Sequence, residues 1–414
     1  MKEIQPSLLR IYGEEAAAQQ LRYEKLGETF RRSFGREPGD FFRAPGRVEI
    51  GGNHTDHQHG VALAAAVTLD TAAAVGRRTD KKLLLKSEGY PDCGIDLSES
   101  LAVREEEKGT TQGILRGMAA AFAERGASFE AGGFQACITS NVPAGSGLSS
   151  SAAFEILLGT ILNEYYYDGR ADREELARIG QWVENRYFGK PCGLMDQLAS
   201  SLGGAVLMDF EDPARPRTEK LDFDLRQAGY TLCILKTGAG HENLTDEYAA
   251  IPAECGAVAA FFGKNVLREV PEEAFTAAIP ALRETCGDRA VLRALHVYEE
   301  NRRARAEAEA VREGRIADFL KLVDRSGRSS VECLQNVTPS GAVLHQEMMI
   351  TLACSQKLLA GEGAVRVHGG GFGGTAEAFV PNEAFPLFKA RMETVLGDES
   401  VIALRICPAG GTRL

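Results

Sequence analysis

Asn141-Val-Pro-Ala-Gly-Ser-Gly-Leu-Ser-Ser-Ser-Ala152 is the stretch on which the reading of this chain turns. It follows an apolar run, Gly133-Phe-Gln-Ala-Cys-Ile-Thr139, that reads as a strand. It then enters a segment, Ser149 to Tyr165, whose Ala152, Ala153, Ile156, Leu157, Ile161 and Leu162 recur at helical spacing. Pro143 ends the strand register, and Gly145 and Gly147 let the backbone turn without a Cβ. Ser149, Ser150 and Ser151 fall at the helix start, where hydroxyls satisfy otherwise unpaired N–H groups. A strand, a glycine turn and a helix N-terminus make an anion site, because free amides and the positive end of the helix dipole point at one spot. The plainer reading is a capped helix after an ordinary turn; the convergence of two glycines with three hydroxyls favours phosphate. No lysine follows the second glycine, so this is not a Walker A loop. Nor is it a dinucleotide fingerprint, since a third glycine is missing and the stretch lies well into the chain.

The 414 residues suggest two domains of about 200 residues each. A break is expected where prolines and charges cluster at Glu211-Asp-Pro-Ala-Arg-Pro-Arg217, giving segments 1–212 and 213–414. A net charge of −11 argues against a nucleic-acid surface, which needs a basic stripe. The nine cysteines are scattered and form no Cys-x-x-Cys pair, so neither a zinc knuckle nor a disulfide framework is indicated. The N-terminus is polar, and the longest apolar run, Val61 to Val67, is too short to span a bilayer. A soluble, cytoplasmic protein is the expectation.

Coarse elements follow from periodicity. Residues 3–34 read as helix broken near Gly13 and Gly27, and 43–50 as the first strand. Val61–Val75 fits strand or buried helix equally, and Lys81–Lys86 reads as a hairpin partner of 72–78. Further helices are expected at 112–124, 173–188, 242–262 with an interruption at Pro252, and 290–313. A strand is expected at 230–236, and a final strand, helix and strand close the chain. There is no internal repeat.

Three more stretches carry chemistry. Arg43-Ala-Pro-Gly-Arg-Val-Glu-Ile-Gly-Gly-Asn-His-Thr-Asp-His-Gln-His-Gly60 is crowded with donors and acceptors. Its His54, Asp56, His57 and His59 fit no metal-ligand template, whereas a polar, glycine-flanked loop suits the hydroxyls of a sugar. In Glu184-Asn-Arg-Tyr-Phe-Gly-Lys-Pro-Cys-Gly-Leu-Met-Asp-Gln-Leu-Ala-Ser200, spacing alone makes Asp196 a helix N-cap. In Val365-Arg-Val-His-Gly-Gly-Gly-Phe-Gly-Gly-Thr375, five glycines in six residues mean that backbone approaches something closely.

Taken together and in this order, the stretches resemble the GHMP small-molecule kinases, and within them the galactokinases. Pro143 to Ala152 resembles the family's phosphate loop. Gly46, Arg47, Val48, Gly52, His54, Thr55 and Asp56 match its Gly-Arg-Val-Asn-Leu-Ile-Gly-Glu-His-Thr-Asp-Tyr signature, with Asn53 in place of Glu and His57 in place of Tyr. Gly193 to Gln197 resembles Gly-Ile-Met-Asp-Gln, and Gly369 to Gly374 resembles the third motif, with Thr375 where a Cys is common.

The resemblance covers nearly the whole chain and implies an α+β, two-domain fold. The N-terminal half would be ribosomal-protein-S5-like and the C-terminal half ferredoxin-like, with the active site in the cleft between them. It implies ATP and Mg²⁺, and phosphoryl transfer to the anomeric hydroxyl of galactose or a related sugar such as arabinose, galacturonate or N-acetylgalactosamine. Asp196 would be the base and Arg47 the stabilising cation. Gly145, Ser146, Gly147, Leu148, Ser149, Ser150 and Ser151, with Ser87, would hold the nucleotide, and Ser151 and Glu184 the metal. Asn53, His54, Thr55, Asp56 and Tyr248 would bind the sugar. The implied partners are the sugar and ATP alone, and a monomer is expected. A rival of another class is a sugar- and ATP-sensing relative that no longer turns over; the intact serine loop, Arg47 and Asp196 disfavour it.

Overall fold

The computed structural model describes residues 4–143, 145–238 and 244–414. Two sheets organise it. The strands are β1 (Asp40–Gly51), β2 (Val61–Arg77), β3 (Lys82–Ser87), β4 (Cys93–Asp96), β5 (Phe134–Ser140), β6 (Ala205–Asp209), β7 (Arg217–Leu221), β8 (Tyr230–Lys236), β9 (Ala364–His368), β10 (Thr375–Pro381), β11 (Val401–Leu404) and β12 (Thr412–Arg413). The larger sheet runs β12-β1-β2-β5-β3-β4, with β6 on the far part of β2 and β7 beside β6. The smaller runs β11-β8-β10-β9.

The ambiguous apolar run becomes β2, the centre of the large sheet. Its residues are small or β-branched and buried on both faces, which suits a strand covered from two sides. Ala73 and Val75 face the helices Thr111–Glu124 and Ser150–Tyr166. Ala72 and Ala74 face the N-terminal helices Gln5–Tyr12 and Ala16–Phe34. Further along, Leu63, Ala65 and Val67 join a core shared with the small sheet through Leu232, Ile234 and Phe379, and with helices Asp288–Arg312 and Ile316–Ser329 through Ala304, Ala308 and Phe319. This shared core fixes how the sheets face each other. The opposite face of the small sheet packs on helices Glu347–Leu359 and Phe385–Leu396.

Several expectations are corrected. Residues 82–87 do not pair with 72–78; β3 lies parallel to β5 and antiparallel to β4, because β5 inserts between β2 and β3. Gly27 does not break the N-terminal helix. It sits mid-helix where the Phe41 ring passes so close that a Cβ would lie 3.3 Å from it. The helix from Arg173 ends at Val183 and loosens into a π turn, Glu184–Phe188. The cluster 211–217 is the turn joining β6 to β7, so the chain passes to the second sheet only after Leu221. The helix containing Pro252 runs continuously over Thr245–Phe261, and the expected start at Glu242 lies outside the described residues.

Candidate active site

The phosphate loop takes up an alternating backbone. Gly145, Gly147 and Ser149 have φ of 69°, 71° and 56°, with the intervening Ser146 and Leu148 on the ordinary side. Alternation of hand turns successive N–H groups toward one concavity, the arrangement that binds anions. Leu148 is buried in the shared core and anchors the loop. Ser150 begins the helix, and the side chains of Ser150 and Ser151 face a cleft of about 1050 Å³. That cleft is also lined by Ser87, Tyr90, Ile138 and Phe188, so Ser87 and the two serines share one cavity of nucleotide size.

Arg47 rises from β1 against this loop. Its backbone N–H donates to Leu148 O at 3.0 Å, and its Nη1 donates to Gly147 O. Gly46 permits the approach, since a Cβ there would stand 2.9 Å from Leu148 O. The remaining face of the guanidinium makes a fork with Asp196: Nε to Oδ1 and Nη2 to Oδ2, each 2.7 Å. Ser149 Oγ donates to Asp196 Oδ2 at 2.8 Å. Burial alone would raise the Asp196 carboxyl, but Arg47 and Ser149 hold it below the usual value. Asp196 is not the N-cap that its spacing suggested; it lies in the first turn of helix Met195–Leu202, with Leu194 at the cap.

The sugar-like loop is pinned to the third glycine stretch. His54 Nε2 meets Gly370 O at 3.0 Å, and burial beside His57 lowers the His54 pKa to about 3, so the ring is neutral. Asp56 accepts from the His57 backbone N–H at 2.8 Å, and its other oxygen crowds Gly193, where a side chain would collide with it. Asp56 therefore stands against the loop that carries Asp196. Tyr248 donates to Gly371 O at 3.0 Å, and its ring lies edge-on to Phe372.

Asn53 and Thr55 depart from the expectation of sugar contact. Both are fully buried. Asn53 Nδ2 donates to Glu49 Oε1 and Gly369 O, both at 2.7 Å, and its Oδ1 accepts from Asn336 Nδ2 at 3.0 Å. Thr55 Oγ1 donates to Gly52 O and Val61 O. These side chains hold the loop's shape instead.

Glu184, at the start of the π turn, has a neighbour that spacing did not reveal. Gln197 Nε2 bridges Glu184 Oε2 at 2.8 Å and Glu155 Oε2 at 3.0 Å. Glu155 Oε1 is buried without a hydrogen-bond partner, and burial together with Glu184 pushes its carboxyl well above the ordinary range. Two close carboxylates with an unused oxygen suit a divalent cation, and Mg²⁺ needs only one or two protein carboxylates beside water and phosphate. No ready-made cluster of three ligands occurs among the described residues. The available signal was Glu155 itself, a charge within the apolar helix that follows the serines. A second π turn, Ser330–Leu334, leads to Asn336, whose contacts with Asn53 and Gly370 have no local signal in the sequence.

Comparison with known proteins gives consistent matches. Residues 28–77 match the galactokinase galactose-binding signature, and 113–204 match the GHMP kinases N-terminal domain. The chain is 31% identical over 404 residues to a galactokinase of Streptomyces coelicolor, covering 94% of this chain and 97% of that one. It is 32% identical to a galactokinase of Lacticaseibacillus casei, over 85% of this chain and 88% of the relative. The crystal structure of Lactococcus lactis galactokinase complexed with galactose superposes with a TM-score of 0.80 at 27% identity, covering 95% of this chain and all of that one. A mevalonate kinase shares the fold at a TM-score of 0.64 and 15% identity.

Proposed function

The chain belongs to the galactokinase family of GHMP kinases, and on that premise we propose that it transfers the γ-phosphoryl group of ATP to the anomeric hydroxyl of galactose or a close relative. The observation that carries this reading is the contact of Ser149 with Asp196, which sets a carboxylate at the rim of an amide-lined phosphate loop.

The anomeric oxygen would attack the γ-phosphorus while the bond from that phosphorus to the β-phosphate oxygen breaks, leaving ADP. The hydroxyl proton goes to Asp196. An ordinary carboxylate, with a pKa of about 4, is a feeble base, so Asp196 also serves by orienting the hydroxyl. Arg47 fixes the carboxylate by its fork, and its charge would offset that spreading over the transferring phosphoryl oxygens. The loop amides and Ser150 would hold the phosphates, with Ser87 toward the base end of the cleft. Glu184, Glu155 and Ser151 would hold Mg²⁺, which would offset the charge of the phosphates. Asp56, with His54 and Tyr248, would present the sugar; its position against Gly193 supports this. A single chain supplies every group invoked, in keeping with a monomer. A cytoplasmic setting suits an enzyme that draws on ATP, and no described helix is long and apolar enough to cross a membrane.

ADP release measured with ATP, Mg²⁺ and a panel of galactose, arabinose, galacturonate and N-acetylgalactosamine tests the reading. Turnover with at least one sugar is expected. Binding of sugar and nucleotide without ADP release would instead establish the sensor.

A further inference from the structure

Three successive carbonyls of the phosphate loop are each claimed by a donor from elsewhere. Arg47 takes two, Gly147 O through Nη1 and Leu148 O through its backbone N–H. The first, Ser146 O, accepts from Thr375 Oγ1 at 2.9 Å. In a planar trans peptide the carbonyl of one residue and the N–H of the next point in opposite directions. A carbonyl drawn inward therefore turns the following N–H outward. Thr375 governs the Gly147 N–H in this way, and Arg47 governs those of Leu148 and Ser149.

Thr375 is itself oriented by a chain of hydrogen bonds with a single consistent direction. The Glu49 backbone N–H can only donate, and it lies 3.1 Å from His368 Nε2, so that nitrogen accepts. The neutral ring then carries its proton on Nδ1, which is 3.1 Å from Thr375 Oγ1. With its lone pair receiving the ring proton, the threonine hydroxyl is free to donate to Ser146 O. His368 and Thr375 are both buried, and burial near Arg47 keeps the imidazole uncharged. The chain thus links β1, the ends of β9 and β10, and the phosphate loop. Gly147 is part of the fit, since a Cβ there would stand 2.8 Å from His368 Nδ1 and 3.0 Å from Thr375 Oγ1.

We propose that Thr375 and His368 are positioning residues that preset the Gly147 amide of the phosphate loop for nucleotide, separately from the sugar side of the site. The proposal rests on the nucleotide reading given above. It turns a position that sequence suggests is interchangeable with Cys into one whose hydroxyl orients an amide for a phosphate oxygen.

Titration calorimetry with ADP and Mg²⁺, beside kinetics with the accepted sugar, tests it on Thr375→Val and Thr375→Ser. Val fills similar space but cannot bond Ser146 O, and one amide-to-phosphate bond lost weakens ADP binding and raises the KM for ATP about tenfold. Ser keeps the hydroxyl and stays within about twofold of the parent. The KM for sugar is unchanged in both, which a general loosening of the fold would not allow. Thermal unfolding confirms that Val remains folded; should it not, Ser set against Thr375→Ala gives the same contrast. Equal ADP affinity in Val and parent overturns the proposal and leaves the kinase reading intact. A parent protein that takes up no ADP overturns the nucleotide reading, and the proposal with it.

Discussion

Strand β1 carries two arginines, Arg43 and Arg47, and each meets an aspartate from a distant segment. Arg43 Nε holds Asp70 at 2.5 Å with both side chains fully buried. Asp70 also accepts from Arg22 Nη1 at 2.6 Å and from the Tyr12 hydroxyl, and the Arg43 guanidinium lies over the Tyr12 ring. Arg47 holds Asp196 by a fork of two 2.7 Å bonds, but the Asp196 side chain is 31% exposed and its other partner is Ser149 of the phosphate loop. The ion-pair chemistry is the same and the surroundings are not. The first aspartate is enclosed by the helices that cover one face of the large sheet. The second is partly exposed beside the phosphate loop, where the proposed reaction would need an edge for an incoming hydroxyl. On the proposed mechanism, what the remaining lone pairs can reach is what would make one of these carboxylates a base and not the other.

The largest effect should come from neutralising each aspartate in turn. Asp196→Asn is expected to lower kcat about a thousandfold, in the range of a lost general base, while ADP affinity changes little. Asp70→Asn leaves the fully buried Arg43 short of its counter-charge, which costs stability by about 3–5 kcal/mol. Its folded fraction should turn over normally. Thermal unfolding and steady-state kinetics on the two proteins check this. A large fall in kcat for Asp70→Asn, with its melting temperature intact, would erase the distinction between the pairs.

The two pairs also differ in what pH does to them. Both carboxyls are held below the ordinary Asp value by their arginines, against the upward push of burial. Each therefore contributes stability that is full above the unfolded pKa and is lost as pH falls through the lower folded pKa. For Asp196 the same depression keeps the proposed base ionised across the neutral range, so the acid limb of kcat/KM is expected below the usual carboxylate pKa. Arg47→Gln removes the main downward influence, and the acid limb should move to higher pH while kcat falls at every pH. A pH–rate profile of the variant reads this directly, and an unmoved limb would mean that it belongs to another group.

How far this was legible in the sequence follows from the same contrast. The phosphate loop has a local pattern that carries its own physical reason, whereas Arg47 and Asp196 are legible only through the family resemblance, since spacing alone makes Asp196 a helix N-cap. Asn336 and His368 are not legible in this way, because their partners come from distant segments, and Glu155 shows only as a charge in an apolar helix until Gln197 brings Glu184 beside it. The expected pairing of β3 fails for a related reason. A six-residue strand with suitable neighbours on either side does not state which strand will insert beside it, and β5, further along the chain, did so. The resemblance makes Asn53 a sugar contact because it stands where the family's signature has Glu, yet burial gives its amide three protein partners.

Asn53 also supplies the smallest and most discriminating test. If it faced the sugar, Asn53→Glu would re-rank the substrates. In the observed arrangement the new carboxylate enters a fully buried position next to Glu49, which already accepts from Arg366 Nη2 at 3.1 Å. It can donate neither to Glu49 nor to Gly369 O, and only the bond accepted from Asn336 Nδ2 is open to it. Lost bonds of this kind cost about 1–3 kcal/mol. The variant should therefore melt at a lower temperature and lose about tenfold in kcat/KM for every sugar alike, because the loop bearing His54 and Asp56 loosens as a unit. Competition kinetics across the sugar panel decides the matter. A preference that shifts between sugars while the melting temperature holds would place Asn53 with the open, substrate-facing groups and apart from the enclosed ones.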